Sequence, residues 1–268
     1  MIPDMSQLRT TGDAQTVAVK NKVLKNTYLL LSASMIPTVA GAWLGIKSGF
    51  SLFAGSPLIS MLLFLGIAFG FFYAIEKFKN SQIGVYLLLG FTFFMGLMLS
   101  RLLGFALGMQ NGAQLIGLAA VGTGSIFFGM SVLSTTIKRD LAPMGKFLFI
   151  GMILLIVASV ANIWLQMPAL MLTISLIATV VFSLFLLYDL QRIVNGGETN
   201  YVSATLAVYL SVYNIFSNLL FLLYDLQRIV DGGETNYVSA TLAVYLSVYN
   251  IFSNLLFLLM AFFGGDRE

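Results

Sequence analysis

The chain of 268 residues contains no cysteine and no histidine, and only 9% of its residues are charged. The absence of cysteine excludes disulfides, thiolate nucleophiles and cysteine metal sites. The absence of histidine removes the commonest general base and metal ligand. A soluble domain carries about 25% charged residues, so a chain with so few charges cannot cover its surface for water. We therefore exclude a soluble protein and expect neither a cofactor nor a metal.

Long apolar runs take the place of the missing charge. The chain is 59% hydrophobic and its mean hydropathy is +0.93. Each apolar run is close to the roughly 20 residues that a helix needs to cross a bilayer. The sequence therefore predicts an all-α, polytopic transmembrane helix bundle, with a seven-helix core and one extra helix. The predicted spans are 27–46, 58–75, 83–100, 113–133, 147–166, 169–194, 201–223 and 237–262.

These spans divide the chain into four predicted parts: a polar tail 1–25, a bundle 26–223, a second turn and helix 224–263, and a polar end 264–268. The first tail has little apolar periodicity, so we expect much of it to be unstructured. It is either a basic flank that orients the protein or a handle for a cytoplasmic partner. Its basic residues are Arg9, Lys20, Lys22 and Lys25.

The placement of Lys and Arg predicts an orientation. With the N-terminus inside, the inner segments up to the seventh span hold ten Lys and Arg residues and the outer segments hold two. Cytoplasmic loops of membrane proteins carry such an excess. We therefore expect a cytoplasmic N-terminus. The net charge of +3 does not indicate nucleic acid, because the basic residues lie in short loops.

A tandem repeat of 36 residues dominates the C-terminal third of the chain. Residues 184–223 match residues 220–259 at 39 of 40 positions, and only Asn195 differs, becoming Asp231. Two copies are too few for a solenoid. A recent tandem duplication, an engineered insertion or an assembly artefact explains the repeat better. Parity would place the copied turn outside and give eight crossings, which we favour. Alternatively, one copy fails to cross.

Asp189 is the sharpest functional candidate, because it lies about five residues inside the end of the sixth span. A carboxylate in a membrane helix requires water or a partner. Two interpretations remain open: a proton- or ion-sensing group, or an interfacial acid paired with Arg192 at i+3. Asp225 is its counterpart in the second copy.

Polar residues follow one face of the seventh span. Such side chains either hydrogen-bond across helices or line a water or ion path next to Asp189. The candidates are Ser203, Ser211, Asn214 and Asn218, with Asn162 in the fifth span. Glycines of the third and fourth spans, among them Gly96 and Gly124, are interpreted as packing positions.

An intramembrane protease is disfavoured. Ser125 and Ser211 have no histidine, and no lysine lies in mid-span to act as the base. An aspartyl protease needs two facing acids. Asp189 and Asp225 could supply them only through the repeat, an implausible origin for an active site. We therefore expect no enzyme.

Several motifs together resemble the Bax inhibitor-1 (transmembrane Bax inhibitor motif) family. They are a basic tail, seven spans, Tyr-Asp-x-Gln at 188–191, the stretch 160–170, Gly-Gly-Glu-Thr-Asn-Tyr at 196–201 and Tyr-Asn-Ile-Phe at 213–216. The last three look like the YccA-like branch in the bacterial inner membrane. The resemblance covers residues 20–223 once, and the second copy is an addition.

The resemblance implies two functions. The YccA-like branch is associated with a membrane-anchored AAA protease, FtsH, which its members restrain and which degrades them, engaging the N-terminal tail. Other family members are known for a pH-sensitive calcium leak attributed to two aspartates. Asp189 matches the first, but Ser211 stands at the second, so calcium or proton conduction is the alternative. A third alternative is a duplication variant without the parent function. The lipid bilayer is the remaining expected partner.

Overall fold

The computed structural model describes residues 5–50 and 57–229, with side chains from residue 20 onward except 57 and 58. These residues form seven α-helices and, within that part of the chain, no strand. The helices are α1 Met5–Ser48, α2 Pro57–Phe78, α3 Gln82–Leu107, α4 Gly112–Thr136, α5 Ala142–Leu165, α6 Pro168–Val194 and α7 Tyr201–Arg228. The predicted eighth span 237–262 and the polar end 264–268 lie outside the described residues.

All seven helices are long and apolar enough to cross a membrane. The prediction of an all-α polytopic bundle is therefore confirmed. The first span of that kind begins at Lys20 and contains Pro37 within its helix. The last runs to Arg228, five residues past the predicted end of the seventh span. The second copy of the repeat therefore begins inside α7, not after it.

The expectation of a mostly unstructured tail is wrong for the described residues, because α1 begins at Met5. The stretch 13–36 contains neither proline nor glycine, so nothing in it interrupts a helix that continues into the apolar span. Residues 5–19 extend α1 by about 22 Å beyond the span at 1.5 Å per residue. Hydropathy detected only the apolar part of this helix.

α7 lies at the centre of the bundle. It contacts α1, α3, α4 and α6, and touches α2. No residue from Tyr201 to Asp225 is exposed, whereas one side of α5 is exposed along its length. Aromatic contacts link α2, α3 and α7, with the Phe91 and Tyr209 rings 6.2 Å apart. The neighbouring helices therefore cover α7, although it is the most polar of the helices from α2 to α7.

α1 and α3 form the most extensive helix pair, and glycines permit it. A methyl group added to Gly96 would overlap the Thr38 carbonyl oxygen, and one added to Gly41 would overlap that of Phe93. Small residues allow backbones to approach in this way. The packing interpretation is right for Gly96 and wrong for Gly117, Gly124 and Gly129, where no described atom lies within 4 Å of such a methyl group.

The helix ends divide the charges between the two ends of the bundle. At the end where α6 finishes and α7 begins, here called the basic end, lie nine of the Lys and Arg residues whose side chains are described. They are Lys20, Lys22, Lys25, Lys77, Lys79, Lys138, Arg139, Lys146 and Arg192. The opposite end has three, Lys47, Arg101 and Arg228.

Candidate functional site

The turn between α6 and α7 is built by its own sequence. Gly196 adopts a φ of +78°, a left-handed conformation that glycine reaches without steric cost. The Gly197 amide then donates to the Arg192 carbonyl at 2.8 Å, which closes the end of α6. Asn200 begins α7, because its side-chain oxygen accepts from the Val202 and Ser203 amides. This short turn places the end of α6 beside the start of α7.

Asp189 lies where that turn brings the two helices together. It is partly buried in α6, five residues before Val194, as the sequence indicates. The Ser211 hydroxyl of α7 hydrogen-bonds to its carboxylate. Ser211 is only 3% exposed, so this contact is inside the bundle. The structure thus brings together Asp189 and the residue that the family resemblance matches to a second aspartate.

Arg192 forms its ion pair with a different acid from the one that helical spacing suggests. Its guanidinium lies 3.2 Å from the Glu198 carboxylate, and its Nε donates to the Gly197 carbonyl at 3.4 Å. The Arg192 charge is still near enough to act on Asp189. Asp189 therefore contacts the Ser211 hydroxyl and lies near one positive charge, on Arg192, and one negative charge, on Glu198.

A second polar group connects α2 to the start of α7. The Ser203 hydroxyl donates to Glu76 Oε2 at 3.1 Å, and Glu76 also pairs with Lys79. The Asn200 side chain donates to the Lys79 carbonyl at 3.1 Å and to Asn80 Oδ1 at 2.8 Å. Lys20 of α1 packs its side chain against Gly196. The basic end is therefore linked through α1, α2, α6 and α7.

Gln191 is named above only as part of the Tyr-Asp-x-Gln motif, and the sequence did not predict it as a site residue. It is 2% exposed, and its Nε2 donates to the carbonyls of Ile137 at 3.0 Å and Arg139 at 2.9 Å. Its Oε1 accepts from the Leu141 amide at 3.0 Å. One side chain thus satisfies three backbone groups of the α4–α5 loop. The sequence does contain one indication that Gln191 is buried. It follows Leu187 by four residues and therefore lies on the same buried face of α6.

The predicted polar stripe on α7 is divided between two kinds of bond. Ser203 and Ser211 bond across helices, as expected. The amides of Asn214 and Asn218 instead donate along their own helix, to the carbonyls of Leu210 and Asn214, each at 2.8 Å. The interhelical role expected for these two amide groups is therefore wrong.

Two tyrosines of α7 form the cross-helix bonds that the sequence did not indicate. The Tyr209 hydroxyl lies 2.9 Å from that of Thr38 in α1 and donates to the Thr92 carbonyl of α3 at 3.4 Å. Tyr213 donates to the Met95 carbonyl at 3.2 Å.

Asn162 and Asp225 lie away from Asp189. Asn162 is at the opposite end, where its side-chain oxygen accepts from the Met167 amide at 3.1 Å and supports the α5–α6 turn. It therefore lies far from Asp189 along the bundle, and its assignment to an ion path stays a prediction. Asp225 follows Ser211 by 14 residues, about 21 Å along α7. Asp189 and Asp225 therefore do not face each other as an aspartyl pair would.

Among the tail candidates, Lys22 and Lys25 are exposed and Lys20 is partly buried, whereas the Arg9 side chain lies outside the described ones. No group of three or more Asp or Glu side chains that could hold a metal occurs in the described part of the chain. At the α6–α7 turn the site therefore offers the Asp189 and Glu198 carboxylates, the Ser211 hydroxyl and a basic surface. This arrangement can hold a proton or form ion pairs.

The comparisons with known proteins agree with this architecture. The sequence model described as "Inhibitor of apoptosis-promoting Bax1" matches residues 20–223. An uncharacterized protein of Neisseria meningitidis serogroup A is 42% identical over 209 residues, covering 77% of this chain and 92% of the relative. An uncharacterized membrane protein of Vibrio cholerae is 38% identical over 210 residues, covering 78% and 92%.

The Escherichia coli K12 protein named modulator of FtsH protease YccA is 34% identical over 211 residues, covering 79% of this chain and 93% of the relative. In another E. coli strain, O6:H1, the similar protein is named inner membrane protein YccA. These relatives are matched almost end to end, while over a fifth of this chain is not. A family match that covers three quarters of the chain, together with seven membrane-length helices, shows that this multi-pass inner-membrane protein belongs to the Bax inhibitor (Bax1-I) family.

Proposed function

We propose that this protein binds and modulates a membrane-anchored AAA protease of the FtsH type and is itself a substrate of it. The observation that carries the proposal is the 34% identity to the protein named modulator of FtsH protease, over 93% of that relative's length. The family model matches residues 20–223, a range that includes Asp189 and the α6–α7 turn.

We expect the protease to bind this protein at the basic end. This end carries nine of the Lys and Arg residues whose side chains are described, against three at the opposite end, and such an excess marks the cytoplasmic side. α1 extends from this end by about 22 Å past the apolar span. Residues 5–19 are thus the part of the described chain that reaches furthest from the bilayer. A protease that pulls on the N-terminus would unwind this helix end first.

Deletion of residues 2–19 tests the proposal. This variant keeps Lys20, Lys22 and Lys25, so the charges that orient the first span remain. We expect co-purification with the AAA protease to be lost and the lifetime of the protein in cells to increase. Removal of residues 264–268 serves as the control and should change neither. Unchanged association and lifetime in a deletion variant that still inserts would contradict a role for this helix end.

The same measurements also test the alternative that this chain is a duplication variant without the parent function. If the full chain neither associates with the protease nor changes its activity, while a single-copy relative does both in parallel, the modulator proposal is wrong for this chain. Measuring degradation of a second protease substrate, with and without the full chain, provides that readout independently of association.

The second candidate function is a proton-gated cation leak centred on Asp189. One observation favours it: the carboxylate lies between helices, hydrogen-bonded to Ser211, and not on the lipid-facing side. Calcium or proton flux into liposomes that disappears in Asp189→Asn and persists in Asp225→Asn would support it. Absence of flux from the unsubstituted protein over a range of pH would eliminate it, and would leave the modulator proposal unaffected.

A further inference from the structure

The connection between α6 and α7 is packed against α1 through the Lys20 side chain. The aliphatic part of Lys20 lies on Gly196, where an added methyl group would overlap the Lys20 Cε atom. Gly196 has no side chain, and glycine adopts its φ of +78° without steric cost, so the residue suits both the turn and the contact. Lys20 is partly buried, whereas Lys22 and Lys25, further along α1, are exposed. Of these three basic residues, Lys20 is therefore the one that packs into the bundle.

The charge of Lys20 lies close to the C-terminal end of α6. Its Nζ is 3.3 Å from the position that a methyl group on Gly196 would occupy, and Gly196 follows the last residue of α6, Val194, by two positions. The C-terminus of a helix carries a partial negative charge, so a cation beside it is stabilising. The Lys20 side chain therefore attaches α1 to the end of α6 in two ways, by packing and by charge.

The segment 191–203 also receives contacts from both other helix connections at the basic end. The Gln191 side chain holds the α4–α5 loop through three hydrogen bonds. The Asn200 side chain donates two hydrogen bonds to the α2–α3 turn. Lys20 adds the contact from α1. Asp189 lies two residues before this segment on the same helix, so loosening of the segment also loosens the part of α6 that carries Asp189.

The continuity of α1 allows movement of its projecting end to reach Lys20. The helix contains neither proline nor glycine over residues 13–36, so nothing divides the projecting part from the apolar span. Residues 5–19 project beyond that span, and Lys20 stands where the span begins. The next buried residues of α1, Val23 and Thr27, lie one and two turns deeper in the bundle. Among the side chains that the structure describes, Lys20 therefore makes the first contact that is lost when α1 unwinds from its N-terminus.

We propose that Lys20 is a latch, a contact that couples the projecting end of α1 to the α6–α7 connection. A partner that unwinds or bends residues 5–19 withdraws Lys20 from Gly196, and the segment 191–203 then loses its Lys20 contact. The end of α6, with Asp189, becomes more mobile as a result. The identification of this partner as an AAA protease rests on the proposed function, whereas the latch is a property of the protein alone.

Amide hydrogen exchange of residues 193–199 in the purified full-length protein tests the latch without any protease. Lys20→Ala removes the contact, and Lys22→Ala removes an equal charge from an exposed position two residues away. We expect exchange to become several-fold faster in Lys20→Ala and to stay at the parent rate in Lys22→Ala. Lys20→Arg, which keeps a long stem and the charge, should stay close to the parent.

Residues 91–95 in the buried part of α3 provide the internal control, because their protection should be the same in every variant. Equal exchange of residues 193–199 in Lys20→Ala and Lys22→Ala would overturn the proposal. Loss of protection in residues 91–95 together with residues 193–199 would overturn it as well, since Lys20 would then support the whole bundle and not one connection.

A double-mutant cycle separates coupling from a local structural role. Asn21 is exposed, and Asn21→Pro imitates a partner that unwinds α1, because a proline disfavours helical geometry in the residue before it, here Lys20. We expect Asn21→Pro to accelerate exchange of residues 193–199 several-fold in the parent and in Lys22→Ala, and to add nothing in Lys20→Ala.

The same acceleration with and without the Lys20 side chain, or none in the parent, would show that the projecting end of α1 does not act through Lys20 and would overturn the latch. Association with the AAA protease is measured separately. Its absence would contradict the proposed function and leave the exchange results, and therefore the latch, as they stand.

Discussion

One sequence of nine residues occurs twice in the described helices, at 184–192 in α6 and at 220–228 at the end of α7, with different surroundings. In α6, Leu190 is fully buried and Gln191 is 2% exposed. In α7, the corresponding Leu226 is 39% exposed and Gln227 is partly exposed. Tyr188 packs against Gly145 of α5, whereas the Tyr224 ring stacks on Phe105 of α3 at 6.4 Å. Both segments are helical, so local sequence determines the helix in each place.

The charged residues differ in the same way. Arg192 pairs with Glu198 of the following turn, and Asp189 contacts Ser211. In the second segment Arg228 pairs with Asp225 of its own helix at 2.9 Å. Identical spacing therefore gives an ion pair at i+3 in one helix and not in the other. The comparison teaches that helical spacing alone does not determine the partner of a charged side chain, and that Asp189 contacts Ser211 because α6 lies beside α7.

The largest difference is expected for leucine truncation. Leu190→Ala removes a fully buried side chain and should reduce the free energy of unfolding by about 2–4 kcal/mol, whereas Leu226→Ala should cost less than about 1 kcal/mol. Both substitutions lie between the same two neighbours, Asp and Gln, so helix propensity cancels. Denaturation in detergent followed by circular dichroism gives both values. Equal losses would mean that the two segments are buried alike.

Next in size is the effect of the buried amide. Gln191→Leu leaves three backbone groups of the α4–α5 loop without their partner, and an unsatisfied buried group costs about 1–3 kcal/mol. We expect a loss of about 2–3 kcal/mol in total, because water can reach part of the loop. Gln227 is partly exposed, so water can replace its partners, and Gln227→Leu should cost less. Hydrogen exchange of residues 137–141 should become faster only in Gln191→Leu. Unchanged protection would contradict the role of Gln191 in holding the α4–α5 loop.

A smaller effect is expected for the two acids. Asp225→Asn removes the charge that pairs with Arg228, whose side chain is 41% exposed, so the cost should be about 1 kcal/mol. Asp189→Asn preserves an acceptor for the Ser211 hydroxyl and should cost less. The unfolding midpoints of the two variants, each compared with the parent, test this order. A reversed order would indicate that the Asp189 charge supports the fold more than the hydrogen bond does.

The smallest effect concerns the single position at which the copies differ. Asn195 caps α6 in an exposed position, and Asn195→Asp places a negative charge at the helix C-terminus. An unfavourable interaction with the helix dipole of about 0.3–1 kcal/mol follows, and salt should reduce it. Unfolding at low and high ionic strength measures the difference. A change that salt does not affect would contradict the electrostatic reason.

Much of the fold follows from hydropathy, because a bilayer requires about 20 apolar residues for each crossing. The seven spans were predicted in order, and the errors lie at helix ends. α1 starts at Met5 since polar residues continue a helix that hydropathy does not detect, and α7 runs to Arg228 because the repeated sequence favours a helix wherever it occurs.

The candidate site was predicted less completely. The burial of Asp189 near the end of α6 follows from sequence position, but its partner Ser211 is one of four polar candidates on the seventh span that the sequence pattern does not rank. Gln191 was missed since its partners lie in a loop about 50 residues away, a separation that periodicity does not encode. Asn162 was assigned by residue type alone, and the antiparallel arrangement places it at the other end of the bundle.

The most direct test of this account is a chain that ends after Ile229. The central claim is that the described bundle folds by itself, and that burial within it distinguishes two identical segments. We predict that this shortened protein inserts, unfolds in one cooperative transition in detergent, and still loses far more stability through Leu190→Ala than through Leu226→Ala. A chain that aggregates or is degraded, or one in which the two substitutions cost the same, would contradict the claim.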